Sequence, residues 1–126
     1  MGRKAKILVI DDEEDLRENL KYVFTGQGYT VALAADGLEG LKDLEAFAPD
    51  LIVLDLNMPQ MGGIEFYQRI CEQGVPKYPV LVLTARAHME QALRDLKVDG
   101  FMGKPFEIPD LRDAVVAIIN KRETSA

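Results

Sequence analysis

The chain has 126 residues, 48% hydrophobic and 29% charged, enough for one domain with a packed core and too few for two ordinary ones. Its net charge of -6, from 21 acids against 15 bases, argues against direct nucleic-acid binding or an anionic membrane, because both attract basic surfaces. One cysteine, Cys71, excludes an internal disulfide, and the apolar run Ile7 to Ile10 is too short for a signal segment or membrane span, so the chain is read as cytoplasmic.

In chain order, "KILVI" (Lys6 to Ile10) predicts a first strand. Glu14 to Thr25 carries Leu16, Leu20, Val23 and Phe24 at helical spacing, and Gly26 and Gly28 then break the helix. "TVALA" (Thr30 to Ala34) is the weakest apolar run and reads as an edge strand. Asp36 to Phe47 follows as a helix, with Asp36 and Glu39 spaced as a helix-start box. "LIVL" (Leu51 to Leu54) and "VLVL" (Val80 to Leu83) are continuous apolar strands, as expected where both faces are buried. Between them Gly63 to Gln73 has a helical stripe of Ile64, Phe66, Tyr67 and Ile70. A fourth helix is predicted near His88 to Val98, a fifth strand at "GFMG" around Phe101, and a last helix from Glu107 to Asn120. The polar tail, residues 123–126, is expected to fray, leaving residues 4–122 as the core of a single domain. Strands alternating with helices in this way predict an α/β fold, a five-stranded parallel sheet with helices on both faces.

Ligands of open parallel sheets bind beyond the carboxyl ends of the strands. The residues that follow the predicted strands are therefore the candidates. They are Asp11 and Asp12 after the first, Asp55 after the third, Thr84 after the fourth and Lys104 after the fifth. Each alone has an ordinary explanation as a cap or turn former. Gathered at one rim they are harder to explain, since two like charges at ~4 Å repel by roughly 4 kcal/mol at an effective dielectric near 20. A hard dication such as Mg2+ would offset that repulsion, and Lys104 would add a fixed positive charge. Such a set suits phosphoryl transfer, in which a carboxylate attacks a phosphoryl group and holds it as an acyl phosphate.

"VIDDE", "DLNMPQMGG", "LTA" and "GFMGKPF" occur in that order, and together they resemble the motifs of bacterial response-regulator receiver domains, the CheY-like family. The likeness runs from Lys4 to about Arg122. It implies the flavodoxin-like strand order 2-1-3-4-5, which sets Asp11 and Asp12 beside Asp55. It implies Asp55 as the phosphorylated residue, with catalytic help from Thr84 and Lys104. It also implies Mg2+ held by Asp11, Asp12, Asp55 and the carbonyl of Asn57, and a cis peptide between Lys104 and Pro105. Thr84 and Phe101 would form the switch, although Phe101 also reads as plain packing and lacks the hydroxyl of the tyrosine common there. The implied phosphoryl donor is a histidine kinase or histidine phosphotransfer protein. The implied receiver of the signal is a downstream protein or a covalently linked output domain, and both a stand-alone regulator and a receiver cut from a longer chain remain open. A homodimer through the fourth helix, fifth strand and last helix is a further expectation, with Val116 and Ala117 off the inward stripe of that last helix.

The resemblance also implies that Arg86, two residues past Thr84, shapes water access to the phosphoryl group, whereas His88 and Cys71 read as ordinary residues. Two rival functions remain. A phosphatase of the haloacid dehalogenase class would want an acid where Asn57 stands. A receiver-like binding module that is not phosphorylated would have no need of Asp11, Asp12, Asp55, Thr84 and Lys104 together.

Overall fold

The computed structural model describes residues 4–56, 58, 61–71, 78–85 and 98–125. The elements are β1 (Lys6–Ile10), α1 (Glu14–Gly26), β2 (Thr30–Ala34), α2 (Gly37–Phe47), β3 (Leu51–Asp55), α3 (Gly63–Ile70), β4 (Val80–Ala85), β5 (Gly100–Lys104) and α4 (Ile108–Ser125). The fourth helix predicted from sequence falls on residues 88–97, outside the described residues, as do Asn57, Pro59, Arg86 and His88. The last predicted helix is therefore α4, which continues past Asn120 to Ser125, into the expected tail.

The five strands form one sheet in the order β2-β1-β3-β4-β5, and every neighbouring pair is parallel. Alternation along the strands divides the core in two. Ile7, Val9, Leu51, Val53, Leu81 and Leu83 face α1 and α4, which contribute Leu20, Phe24, Leu111, Val115 and Ile119. Leu8, Ile10, Ile52, Leu54, Val80 and Val82 face α2 and α3, which contribute Leu44, Phe66 and Tyr67. β3 is buried along its whole length, as its unbroken apolar run requires, and β2 is an edge strand, as its weaker run predicts.

Local chemistry fixes where the chain turns. At the end of α1, Gly28 has a φ of 96°, its N–H donates to Thr25 O, and the Tyr29 N–H reaches back to Phe24 O at 3.1 Å. That is a Schellman end, and the Phe24 and Tyr29 rings seal it edge to face with centroids 6.5 Å apart. α2 begins at Asp36, whose carboxylate accepts the Glu39 N–H at 2.9 Å, as the helix-start spacing predicts. α3 stops at Ile70, short of the predicted Gln73, with the Cys71 N–H donating to Tyr67 O and Gln68 O.

Candidate functional site

The sheet register determines what meets at the carboxyl rim. Ile10 pairs with Leu54, so Asp11 and Asp55 leave neighbouring strands at the same level. Asp55 pairs with Leu83, Thr84 with Gly103 and Ala85 with Lys104. Asp55, Thr84 and Lys104 prove to be strand residues rather than the first loop residues, because pairing with a neighbouring strand carries each ladder beyond the apolar run. A reactive side chain at such a position is held by backbone hydrogen bonds on a rigid element. A loop would not hold it so firmly.

Asp11 is fully buried. Its N–H donates to Ala34 O at 3.1 Å, its Oδ1 accepts the Glu13 N–H at 2.9 Å, and its carbonyl accepts from Arg17 Nη1 at 2.8 Å. Asp55 is 4% exposed, whereas Asp12 faces solvent. One carboxylate oxygen from each of Asp11, Asp12 and Asp55 lies within 4.8 Å of the other two. The Lys104 ammonium sits against this cluster, donating to Asp11 Oδ2 at 3.1 Å and lying 3.4 Å from Glu13 Oε1 and 3.5 Å from Asp55 Oδ1. Burial pulls the pKa of Lys104 down, but its hydrogen bond to Asp11 and the charges of Asp11, Asp55 and Glu13 outweigh this and hold it above the ordinary value.

Thr84 is fully buried at the end of β4. Its Oγ1 has no hydrogen-bond partner among the described residues. A buried hydroxyl left unpaired costs about 1–3 kcal/mol, so a ligand oxygen that accepts from it recovers that loss. Phe101 is half-buried on β5 opposite Val82, packed against the core on the α2 and α3 side.

The donor set fits a hard dication. Three carboxylates offer only oxygen, the ligand Mg2+ prefers over nitrogen or sulfur. In an octahedral shell at about 2.0–2.1 Å neighbouring oxygens lie roughly 3 Å apart, so the three side chains would have to draw in from their present separation to hold the ion together. The expected carbonyl ligand, Asn57, lies outside the described residues.

The glycines that follow Asp55 divide in their roles. A Cβ on Gly63 would lie 2.4 Å from Asp55 O and 2.6 Å from Leu56 Cα, so α3 can start this close to β3 only with glycine there. Gly62 meets no such crowding among the described residues, where a Cβ would have its nearest neighbour, Leu56 O, 3.6 Å away. The Lys104–Pro105 peptide is cis, as expected. Glu13, which follows Asp11 and Asp12 at the end of the first strand, joins the site although the sequence reading gives it no role there. Its contact with Lys104 depends on a partner 91 residues away.

A separate groove of about 790 Å³ runs between α1 and α4, lined by residues that include Glu18, Tyr22, Ile108 and Arg112. It shares no residue with the carboxylate cluster.

A sequence profile of the response regulator receiver domain matches residues 7–116. The chain is 40% identical over 123 residues to the alkaline phosphatase synthesis transcriptional regulatory protein PhoP of Bacillus subtilis, covering 96% of this chain and 51% of that protein. It thus spans about half the length of this relative. Among solved structures, a response regulator receiver domain protein from Clostridium thermocellum superposes with a TM-score of 0.86 at 28% identity, over 97% of this chain and 99% of that one. The response regulator TrrA of Thermotoga maritima, in complex with Mg2+ and BeF, gives 0.80 at 32% identity, over 90% and 98%.

Proposed function

The chain belongs to the response regulator receiver domain family of two-component signalling, and from that premise we propose that Asp55 is its phosphoryl acceptor. The observation that carries this reading is the gathering of Asp11, Asp12 and Asp55 within 4.8 Å, with Lys104 Nζ 3.5 Å from Asp55. Residues 4–122 act as one receiver unit.

An Asp55 oxygen attacks the phosphorus of a phosphohistidine on a kinase or phosphotransfer protein. The O–P bond forms as the P–N bond breaks, and the electron pair returns to the imidazole nitrogen of the donor. Asp11, Asp12, Asp55 and the Asn57 carbonyl would hold Mg2+, which when bound neutralises charge on the phosphoryl oxygens. Lys104 turns from its carboxylate partners to a phosphoryl oxygen, and Thr84 donates its unpaired hydroxyl to another. Hydrolysis by water returns Asp55 and inorganic phosphate. The protein catalyses this cycle on itself and turns over no external substrate.

The signal leaves through Thr84 and Phe101, which lie on the paired strands β4 and β5 two register steps apart. Drawing Thr84 toward the phosphoryl group opens space that the half-buried Phe101 ring can fill, a charge event that biases a two-state packing. The surface that reads this change is the outer side of β5 and α4, where Val116 is 37% exposed. It meets a downstream protein, a linked output domain or a second copy. No helix among the described residues is long and apolar enough to cross a membrane, and we place the protein in the cytoplasm.

Incubation with acetyl phosphate and Mg2+ followed by intact-mass measurement tests the reading. One phosphoryl group is gained by the parent and none by Asp55→Asn. Equal gain in both would contradict it.

A further inference from the structure

The start of α2 meets the segment that leads from Asp55 into α3. The first residue of α2 is Gly37. The first N–H groups of a helix have no partner within the helix. The Gly37 N–H instead donates to Met61 O at 3.1 Å, on the segment that leads from Asp55 into α3. A Cβ on Gly37 would lie 2.8 Å from that carbonyl oxygen and 2.9 Å from Met61 Cγ. Gly28 is the glycine with positive φ among the described residues, so what makes glycine necessary at 37 is space and not backbone conformation. At the other end, the Gly63 N–H donates to Leu56 O at 3.1 Å, and Leu56 follows Asp55 directly. The segment is therefore closed on itself by Gly63 and tied to a separate helix by Gly37.

We propose that Gly37 is a positioning residue for the phosphorylation site: its N–H and its missing side chain set where the segment after Asp55 lies, and thereby the affinity of the site for Mg2+. The inference rests on the functional reading above. Gly37 touches neither the carboxylates nor the phosphoryl group. It acts through Met61.

The test pairs Gly37→Ala with Gly40→Ala. A Cβ on Gly40 would lie 2.6 Å from Ile10 Cδ1, the far end of a flexible side chain, so that variant disturbs packing without pressing on the loop backbone. Mg2+ binding is followed in the unphosphorylated full chain by backbone-amide NMR shifts, and acetyl phosphate uptake by mass. A displacement of a few tenths of an ångström in a positioned site is expected to weaken Mg2+ binding and slow uptake by about tenfold in Gly37→Ala. Gly40→Ala should keep both within about twofold of the parent. Unchanged Mg2+ affinity in a folded Gly37→Ala, or equal losses in the two variants, would overturn the role. A measurement on the parent covers a Gly37→Ala that does not fold: the Gly37 amide should exchange with solvent more slowly than the next N–H of α2, Leu38, and exchange at the Leu38 rate would overturn the tether. A parent that neither binds Mg2+ nor gains phosphate would overturn the functional reading and this role with it, whereas a parent that does both beside an unimpaired Gly37→Ala would overturn the role alone.

Discussion

Lys104 Nζ donates to Asp11 Oδ2 at 3.1 Å, from the end of one edge strand to a fully buried carboxylate 93 residues earlier. The ammonium thus lies where a metal dication and a phosphoryl group would both make demands, on Asp11 and on Lys104 itself. In the resting protein it is the counter-charge that makes a cluster of carboxylates tolerable.

Lys104→Met therefore separates two effects. With the competing cation gone, the three carboxylates should bind Mg2+ more tightly than in the parent, by about threefold to tenfold on titration calorimetry. Phosphoryl uptake should nonetheless slow by about 10- to 1,000-fold, the range seen when a fixed stabiliser of transition-state charge is removed. Weaker Mg2+ binding in the variant would show that Lys104 positions the carboxylates rather than competing for them.

The pH dependence follows from the direction of the Lys104 shift. Its folded pKa is raised, so the stabilisation it gives is fully present below the ordinary lysine value of about 10.4 and is lost as pH rises through the raised value. The difference in urea midpoint between the parent and Lys104→Met, measured without Mg2+, should stay level from neutral pH to about pH 9 and shrink only above the ordinary lysine range. A difference that vanished below that range would contradict the assignment.

Thr84→Val should stabilise the unphosphorylated protein and impair its function. The hydroxyl is buried and has no partner among the described residues, so replacing it by a methyl group of similar shape removes a penalty of about 1 kcal/mol or more. A higher thermal midpoint should accompany reduced signalling once phosphorylated, read as a smaller change in the Phe101 ring resonances on adding BeF3− and Mg2+. A lower midpoint would mean that Thr84 makes a stabilising bond in the resting state.

Asp12→Asn should reduce Mg2+ affinity by about tenfold or more while leaving the urea midpoint nearly unchanged, because Asp12 is exposed and the change removes one of three charges. Asp11→Asn should cost both affinity and stability, since it also strips Lys104 of its nearest anionic partner.

Much of this site is legible in the chain itself because parallel sheets put reactive groups at strand ends. The continuous run Leu51 to Leu54 points to a strand buried on both faces, and β3 is buried throughout. Asp36 and Glu39 mark a helix start that is present to the residue. Strand order follows from the family resemblance and not from periodicity, and it is what sets Asp11 beside Asp55. Contacts between distant segments are not legible. Glu13 stands beside Asp11 and Asp12 in the chain, but that β5 brings Lys104 within 3.4 Å of it is visible only in the fold. Nothing in the chain singles out Gly37, which owes its role to Met61 lying against it. Gly62 and Gly63 look equivalent as a pair, and only the path of β3 beneath α3 distinguishes them.

The central claim is that the carboxylates that follow β1 and end β3 build a Mg2+ pocket in which Asp55 is the nucleophile. Borohydride reduction after acetyl phosphate treatment tests it most directly, because an acyl phosphate is reduced to an alcohol and the aspartate that carried it becomes homoserine. Peptide mass spectrometry should find homoserine at position 55, dependent on Mg2+, and at none of the other acidic positions. Homoserine at Asp11 or Asp12, or labelling that is unaffected by chelating Mg2+, would contradict the account.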